Sequence, residues 1–265
     1  MKIRMIQRRM MIVNARRKAE SALSAKIYPA LKSQGKSLER FLRKATLRKR
    51  LDKIGSNDDA LLKVQTLIKE EGGGMGHKAW DDWKKVLIAI LLLGLLNEAD
   101  DLSDIENQTW ESRGFPRLTF DPQQLVEDYQ RRTGRNISDI ADDTMKQIEE
   151  KISEWYVTDK PFSELMDSLE YLFSQSRADA IAATEIGDLM SQITFQAMLS
   201  YGWTEWFWDH KGEDIPCTNP ITMVGRVYFG CKELNGNIFA LGDPMPPSAA
   251  HPRCHCIATP IVPGE

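Results

Sequence analysis

The sequence predicts an α+β protein, mainly helical over its N-terminal two-thirds and ending in a small β-rich module that contains the cysteines. Three observations carry this. Apolar residues recur at helical spacing from the N-terminus to about residue 201, with caps and breakers between the runs. From Trp203 the period changes to short alternating stretches separated by Gly and Pro. All four cysteines, Cys217, Cys231, Cys254 and Cys256, fall in that last segment.

The helical part begins with a basic stretch. Residues 1–50 hold sixteen Lys or Arg against only Glu20 and Glu39, a net +14, while the remainder carries −17 of the overall −3. Such asymmetry suggests an arm that meets an anionic surface, whether nucleic acid or an acidic protein face, attached to an acidic body. A solvated helix with a basic face is the plainer alternative, because Met10, Met11, Ile12, Val13, Leu38, Phe41 and Leu42 also demand burial. Pro29 and Gly35 are expected to divide the arm into two helical pieces. Asp52–Glu71 reads as a short amphipathic helix, and Gly72-Gly73-Gly74-Met75-Gly76 as a flexible linker. A further helix runs through Trp80, Trp83 and the apolar stretch from Val86 to Leu96. That stretch is eleven residues long, whereas a membrane span needs about 20, so it is read as a core helix or an oligomer contact.

After Gly114-Phe115-Pro116, Asp121 is the expected N-cap of a helix with Pro122 at its first position and Gln124 completing a capping box. Ile140, Thr144, Ile148, Ile152 and Trp155 make the next stripe, and Leu165, Leu169, Leu172 and Phe173 another. Ser176 and Asp179 are expected to cap a long helix ending near Gly202. Strands follow: Trp203–Trp208 with apolar contacts on both faces, Arg226–Phe229, Ile238–Leu241 and Cys256–Val262, with Asn235-Gly236 as a hairpin turn.

The cysteine segment reads His251-Pro252-Arg253-Cys254-His255-Cys256. Lys2, Arg4, Arg8 and Arg9 do not introduce an apolar secretory region, so folding in a reducing cytosol is expected, and there a metal site outranks disulfides. Zinc is the expected ion, with Cys217, Cys231, His251, Cys254 and Cys256 as candidate ligands. Buried packing thiols and disulfides remain alternatives. His77 and His210 are expected to be simply exposed.

Taken in order, Arg177-Ala178, Ile181-Ala182, Thr184-Glu185, Gly202, Trp208, Asp214, Cys217, Cys231-Lys232-Glu233-Leu234-Asn235-Gly236, Pro246-Pro247 and the His251–Cys256 segment resemble the phage Mu F-like head morphogenesis family of minor capsid proteins. The resemblance covers roughly residues 115–260. Two features depart from the family pattern: Thr218 to Gly230 separates the first two cysteines, and His255 stands where the family has arginine. The resemblance implies a structural protein of a tailed phage or prophage. Such a protein sits in the virion interior or at the portal vertex and works with the portal protein and capsid or scaffolding proteins during assembly in the host cytoplasm; some relatives carry a toxin domain after this module, and none is expected here. It divides the chain into a basic arm (1–50), a helical, portal-contacting region (51–113) and the family module (114–265), with helices over 121–201 and the Cys/His part over 203–265.

Glu185 falls on the apolar stripe of its helix and must find donors if buried. We read Arg177, Thr184 and Glu185 as a structural clamp and assign no catalytic residue. Arg4, Arg8, Arg9, Arg16, Arg17, Lys18, Arg40, Arg43, Lys44, Arg48, Lys49 and Arg50 are the candidate contacts to a partner or to packaged DNA. The rival reading from another class is a metal-dependent hydrolase or transferase using Glu185 and the Cys/His module.

Overall fold

The computed structural model describes residues 2–49, 77–133, 137–158, 160–210, 220–223, 226–243, 254 and 256–264. The expected helix over Asp52–Glu71, the glycine linker, Arg50, Cys217, His251, Arg253 and His255 lie outside the described residues. So do the side chains of Arg4, Arg8, Lys44, Arg48, Lys49 and His77.

Among the described residues six helices precede the sheet: α1 Lys2–Lys49, α2 His77–Glu111, α3 Pro122–Thr133, α4 Ile137–Val157, α5 Phe162–Glu170 and, after a 3₁₀ turn at Tyr171–Phe173, α6 Gln175–Tyr201. The C-terminal segment holds β1 Glu205–Asp209, β2 Pro220–Met223, β3 Arg226–Phe229, the short helix α7 Cys231–Leu234, β4 Ile238–Ala240 and β5 Ile257–Pro260. The expected α+β class, helical first and β-rich at the end, is therefore what the chain adopts. The chain forms two compact units, one of residues 1–23, 93–135 and 179–265 and the other of 24–92 and 136–178.

α1 runs unbroken through both Pro29 and Gly35, contrary to expectation. Proline removes one helical hydrogen bond and costs about 3 kcal/mol inside a helix, a penalty that burial of a long stripe can outweigh. Ile12, Arg16, Ala19, Leu23, Ile27, Leu31, Gln34, Leu38 and Leu42 are all buried at spacings of three or four, while Pro29 points to solvent. Gly35 has its own reason: a Cβ there would lie 2.8 Å from Cγ of Phe173, so glycine is what lets that ring lie against the helix.

α2 and α6 end alike. Gly114 and Gly202 take positive φ (88° and 71°). At α6, Trp203 N donates to the Met198 carbonyl and Gly202 N to Leu199, and at α2, Phe115 N donates to Trp110 and Gly114 N to Glu111. Both are Schellman ends, which satisfy the last carbonyls and turn the next residue back onto the helix. The residues so turned, Phe115 and Trp203, stack edge-on at 5.0 Å, with Trp110 4.6 Å and Tyr201 4.7 Å from Trp203. Asn107 fixes the chain leaving α2 by donating to the Leu118 carbonyl and accepting its N–H.

The caps partly follow expectation. Asp121 Oδ1 accepts from Gln123 N and Gln124 N, but the Gln124 amide reaches Asp128 rather than closing the box. α6 starts earlier than expected, capped by Ser174 Oγ, which accepts from Arg177 N at 3.1 Å, rather than by Ser176 or Asp179.

β1 is the centre of a three-stranded antiparallel sheet, order β4-β1-β5, and β2-β3 form a separate ribbon. The expected hairpin between β3 and β4 is not formed. α7 intervenes, and the turn at Asn235-Gly236 closes onto β1 instead, through Gly236 N to the Trp208 carbonyl and Trp208 N to the Asn237 carbonyl. On one face of β1 Trp206 and Trp208 are buried, and on the other Glu205 is exposed while Phe207 and Asp209 are half-buried. Its inward face meets Phe195, Met198, Phe239 and the cysteines in one core.

The close approach at Gly35 makes a counter-intuitive substitution test. Helix propensity alone favours Gly35→Ala by about 1 kcal/mol, yet forcing a methyl against Cβ and Cγ of Phe173 costs on the order of 1–3 kcal/mol. Urea unfolding should show Gly35→Ala to be less stable than the parent and Gly35→Ala combined with Phe173→Ala to recover the propensity gain relative to Phe173→Ala alone. A stabilised single variant would mean that Phe173 does not define that position.

Candidate metal centre

The cysteine cluster forms because two pieces of chain arrive at the inner face of β1. The turn after β3 starts α7 at Cys231, and the approach to β5 supplies Cys254 and Cys256. All three are buried free thiols, and their sulfurs lie within 4.8 Å of one another. Cys231 and Cys254 Sγ are 3.7 Å apart, far beyond the ~2.05 Å of a disulfide. Of the expected ligands, the structure thus brings together Cys231, Cys254 and Cys256, while Cys217 and His251 lie outside the described residues.

The cluster shares its protons unevenly. Hydrogen bonds from Cys231 and then Cys254 hold the Cys256 thiol far below its ordinary range against the opposing effect of burial, and His210 and Trp208 act in the same direction. Cys231 is pushed strongly up, first by its hydrogen bonds to Cys254 and Cys256 and then by burial. For Cys254 the bond with Cys231 pulls down but is outweighed by the bond with Cys256 and by burial, so it too is raised. Cys256 is therefore the sulfur of the three on which negative charge is favoured.

The donor set fits a soft, thiophilic cation. Tetrahedral zinc with Zn–S of about 2.3 Å places its sulfurs about 3.8 Å apart, close to the 3.7 Å observed between Cys231 and Cys254. The buried Nε1 of Trp208 forms no hydrogen bond of ordinary geometry among the described residues, yet lies near enough to favour charge on Cys256. A metal-bound thiolate is the kind of acceptor such an N–H takes. The three cysteines can hold a metal ion.

What ties this cluster to the rest of its unit is Arg16, 4 % exposed. Its Nε donates to Glu20 Oε1 at 2.7 Å, and Nη2 donates to the carbonyls of Ala183 at 3.1 Å and of Cys254. Alanines make this reach feasible: Ala180, Ala182 and Ala183 keep that part of α6 narrow enough for a guanidinium to find a helix carbonyl. Arg16 is thus an internal clamp and not an outward contact, which corrects its assignment to the partner-binding set. Arg9 is half-buried and also turned inward, to Asp209 at 3.3 Å and the His210 carbonyl at 3.2 Å. Arg17, Lys18, Arg40 and Arg43 are exposed, with Lys18 3.8 Å from Asp101 and Arg43 2.7 Å from Glu39.

The expected clamp is differently distributed. Glu185 is buried at 4 % exposure in the middle of α6, as its place on the stripe required. Thr184 is buried and satisfies its hydroxyl on the Ala180 carbonyl at 2.9 Å. Arg177, in the first turn, makes its backbone cap with Ser174, and its buried Nε has no hydrogen-bond partner among the described residues. Among the described residues Arg16 reaches the C-terminal segment, through the Cys254 carbonyl, and no local signal marked it beyond a basic residue falling on an apolar stripe. His210 was also misread: its Nδ1 lies 3.5 Å from Cys256 Sγ. Comparison with protein-family models, curated proteins and solved structures gave no match.

Removing one partner from a buried charge network costs about 3–5 kcal/mol, whereas exposed substitutions stay within about 0.5 kcal/mol. Arg16→Met should therefore lower the unfolding free energy several-fold more than Arg17→Met in parallel urea titrations. Equal, small effects from both would remove Arg16 from this role.

Proposed function

We propose that the chain is a minor capsid protein of a tailed phage or prophage head, that it associates with the portal protein and with capsid or scaffolding proteins during procapsid assembly, and that zinc staples its C-terminal module. The observation that carries this reading is convergence: residues of the Mu F-like pattern that are far apart in sequence, Trp208, Cys231, Leu234, Cys254 and Cys256, share one buried core. Ile181, Ala182, Thr184 and Glu185 of the same pattern are buried in α6. A hydrolytic role for Glu185 would need that carboxylate open to substrate, and its burial favours the structural assignment. No helix among the described residues is long and apolar enough to cross a membrane.

The outward basic residues of α1 suit a role in assembly and in contact with packaged DNA. Lys32, Lys36, Arg40 and Arg43 are exposed and recur at helical spacing on the side away from Leu31, Leu38 and Leu42. Charge reversal at Lys32, Lys36 and Arg40 in the full chain should weaken co-sedimentation with a portal ring at least tenfold while leaving thermal unfolding unchanged. If the stripe also engages about 6 phosphates, DNA retention should fall roughly a thousandfold between 50 and 200 mM salt. Undiminished portal binding by a folded charge-reversed variant would rule the stripe out as the contact.

Zinc makes a proton-linked prediction. Cys231 and Cys254, both raised, hold their protons at neutral pH, and Cys256, lowered, does not. Metal binding must then expel about two protons, so affinity rises with pH and is lost on acidification. Calorimetric titration of metal-free protein in two buffers of different ionisation enthalpy reads the proton count directly. Binding with no proton release would contradict the assigned protonation, and the absence of metal uptake would leave the cysteines as packing thiols.

A further inference from the structure

We infer that His210 is the fourth ligand, which makes the centre a Cys231–Cys254–Cys256–His210 site for a soft divalent cation; this rests on the metal reading just proposed. The argument starts from strand register. β1 and β5 pair antiparallel, with Trp206 opposite Pro260, Phe207 opposite Thr259, Trp208 opposite Ala258 and Asp209 opposite Ile257. One further step along that ladder sets His210 against Cys256. Alternation along an extended strand sends residues two apart to the same face, so His210 follows Trp206 and Trp208, both buried in the core that holds the three cysteines.

One side-chain contact agrees with that placement, although His210 stands outside the group of ligand atoms within 4.8 Å of one another that the three cysteines form. His210 Nδ1 is 3.5 Å from Cys256 Sγ, the one hydrogen bond of its ring among the described residues. A tetrahedral ion with Zn–S of about 2.3 Å and Zn–N of about 2.0–2.1 Å separates its sulfur and nitrogen ligands by about 3.5 Å. The Cys231–Cys254 separation of 3.7 Å, sulfur to sulfur, and the His210–Cys256 separation of 3.5 Å, nitrogen to sulfur, are both edges of the kind such a polyhedron has.

His210 is also held by its backbone rather than left on a loose turn. Its N–H donates to Asn235 Oδ1 at 2.8 Å, and its carbonyl accepts from Arg9 Nη2 at 3.2 Å. Asn235 follows α7, whose first residue is Cys231, so the same short segment carries one sulfur ligand and the anchor for the imidazole. Arg9 in turn is braced on Asp209. This is the outer support that metal ligands need if their rings are to be oriented in advance. Arg9 and Arg16, seven residues apart on α1, thus hold the backbone of His210 and of Cys254 respectively.

The test uses the full-length chain. X-ray absorption on zinc-loaded protein should give three sulfurs and one imidazole nitrogen, and cobalt substitution should give the visible spectrum of a tetrahedral S₃N site. His210→Ala should weaken zinc binding by at least about a hundredfold, beyond the tenfold to hundredfold loss typical of an outer-shell change. His210→Cys should bind and shift the cobalt bands to those of a four-sulfur site. Four sulfurs in the unaltered protein would overturn the inference in favour of Cys217. An imidazole signature that survives in His210→Ala but disappears in His251→Ala would overturn it in favour of His251. Both of those outcomes keep the metal reading, whereas absence of bound metal in the unaltered protein removes both. Should His210→Ala fail to fold, the ligand count on the unaltered chain still decides.

Discussion

A buried guanidinium has five N–H groups to satisfy and a charge to neutralise, and the way Arg16 meets that demand organises the unit that holds the cysteine cluster. Its carboxylate partner is on its own helix, at Glu20, but its other acceptors are the carbonyls of Ala183 on α6 and of Cys254 at the entrance to β5. Satisfying all three requires α1 to turn Arg16 inward on an otherwise apolar stripe, α6 to be lined with alanines where the guanidinium arrives, and the chain before β5 to present a carbonyl rather than a side chain. Each requirement is met, and the result holds the cysteine segment at the inner face of β1.

The module so held is short of ordinary core. Its sheet has strands of three to five residues, and much of its apolar content is a layer of indole rings, Trp206 4.9 Å from Phe239 and 6.2 Å from Trp208. The layer continues into the aromatic group that the Schellman ends of α2 and α6 bring together. On the other side the core is completed by sulfur rather than hydrocarbon. A bound cation there would contribute free energy that a segment of this size cannot raise from burial alone. The α1 arginines would then act as its outer support, so that the docking of α1 and the retention of metal become properties of one arrangement.

α6 shows how a helix with little amphipathic contrast can be the centre of a unit. It is buried on all sides from Ala180 to Phe195, with Thr184, Glu185, Asp188, Ser191, Gln192 and Thr194 among the buried residues. Thr184 and Ser191 settle their hydroxyls on carbonyls one turn back. That local solution accounts for the two hydroxyls.

Much of the secondary structure was legible in the sequence because it depends on local chemistry. The α+β class, the Asp121 cap, the end of α6 at Gly202 and the placing of three cysteines in one module all follow from side-chain period, from caps and from glycine at positive φ. Other features depend on contacts that sequence spacing does not express. Pro29 and Gly35 read as breakers, yet a buried stripe and the Phe173 ring keep α1 whole. Asn235-Gly236 reads as a hairpin turn, yet α7 redirects it to β1. Arg16 looks like any other basic residue of the arm until α6 and Cys254 surround it. His210 looks like a turn residue until the pairing of β1 with β5 sets it against Cys256. By itself the sequence determined which segments are helical or extended and that sulfur would gather near the C-terminus. Only the tertiary structure decided that Arg16 is buried and that His210 lies beside Cys256, because both depend on residues more than forty positions away.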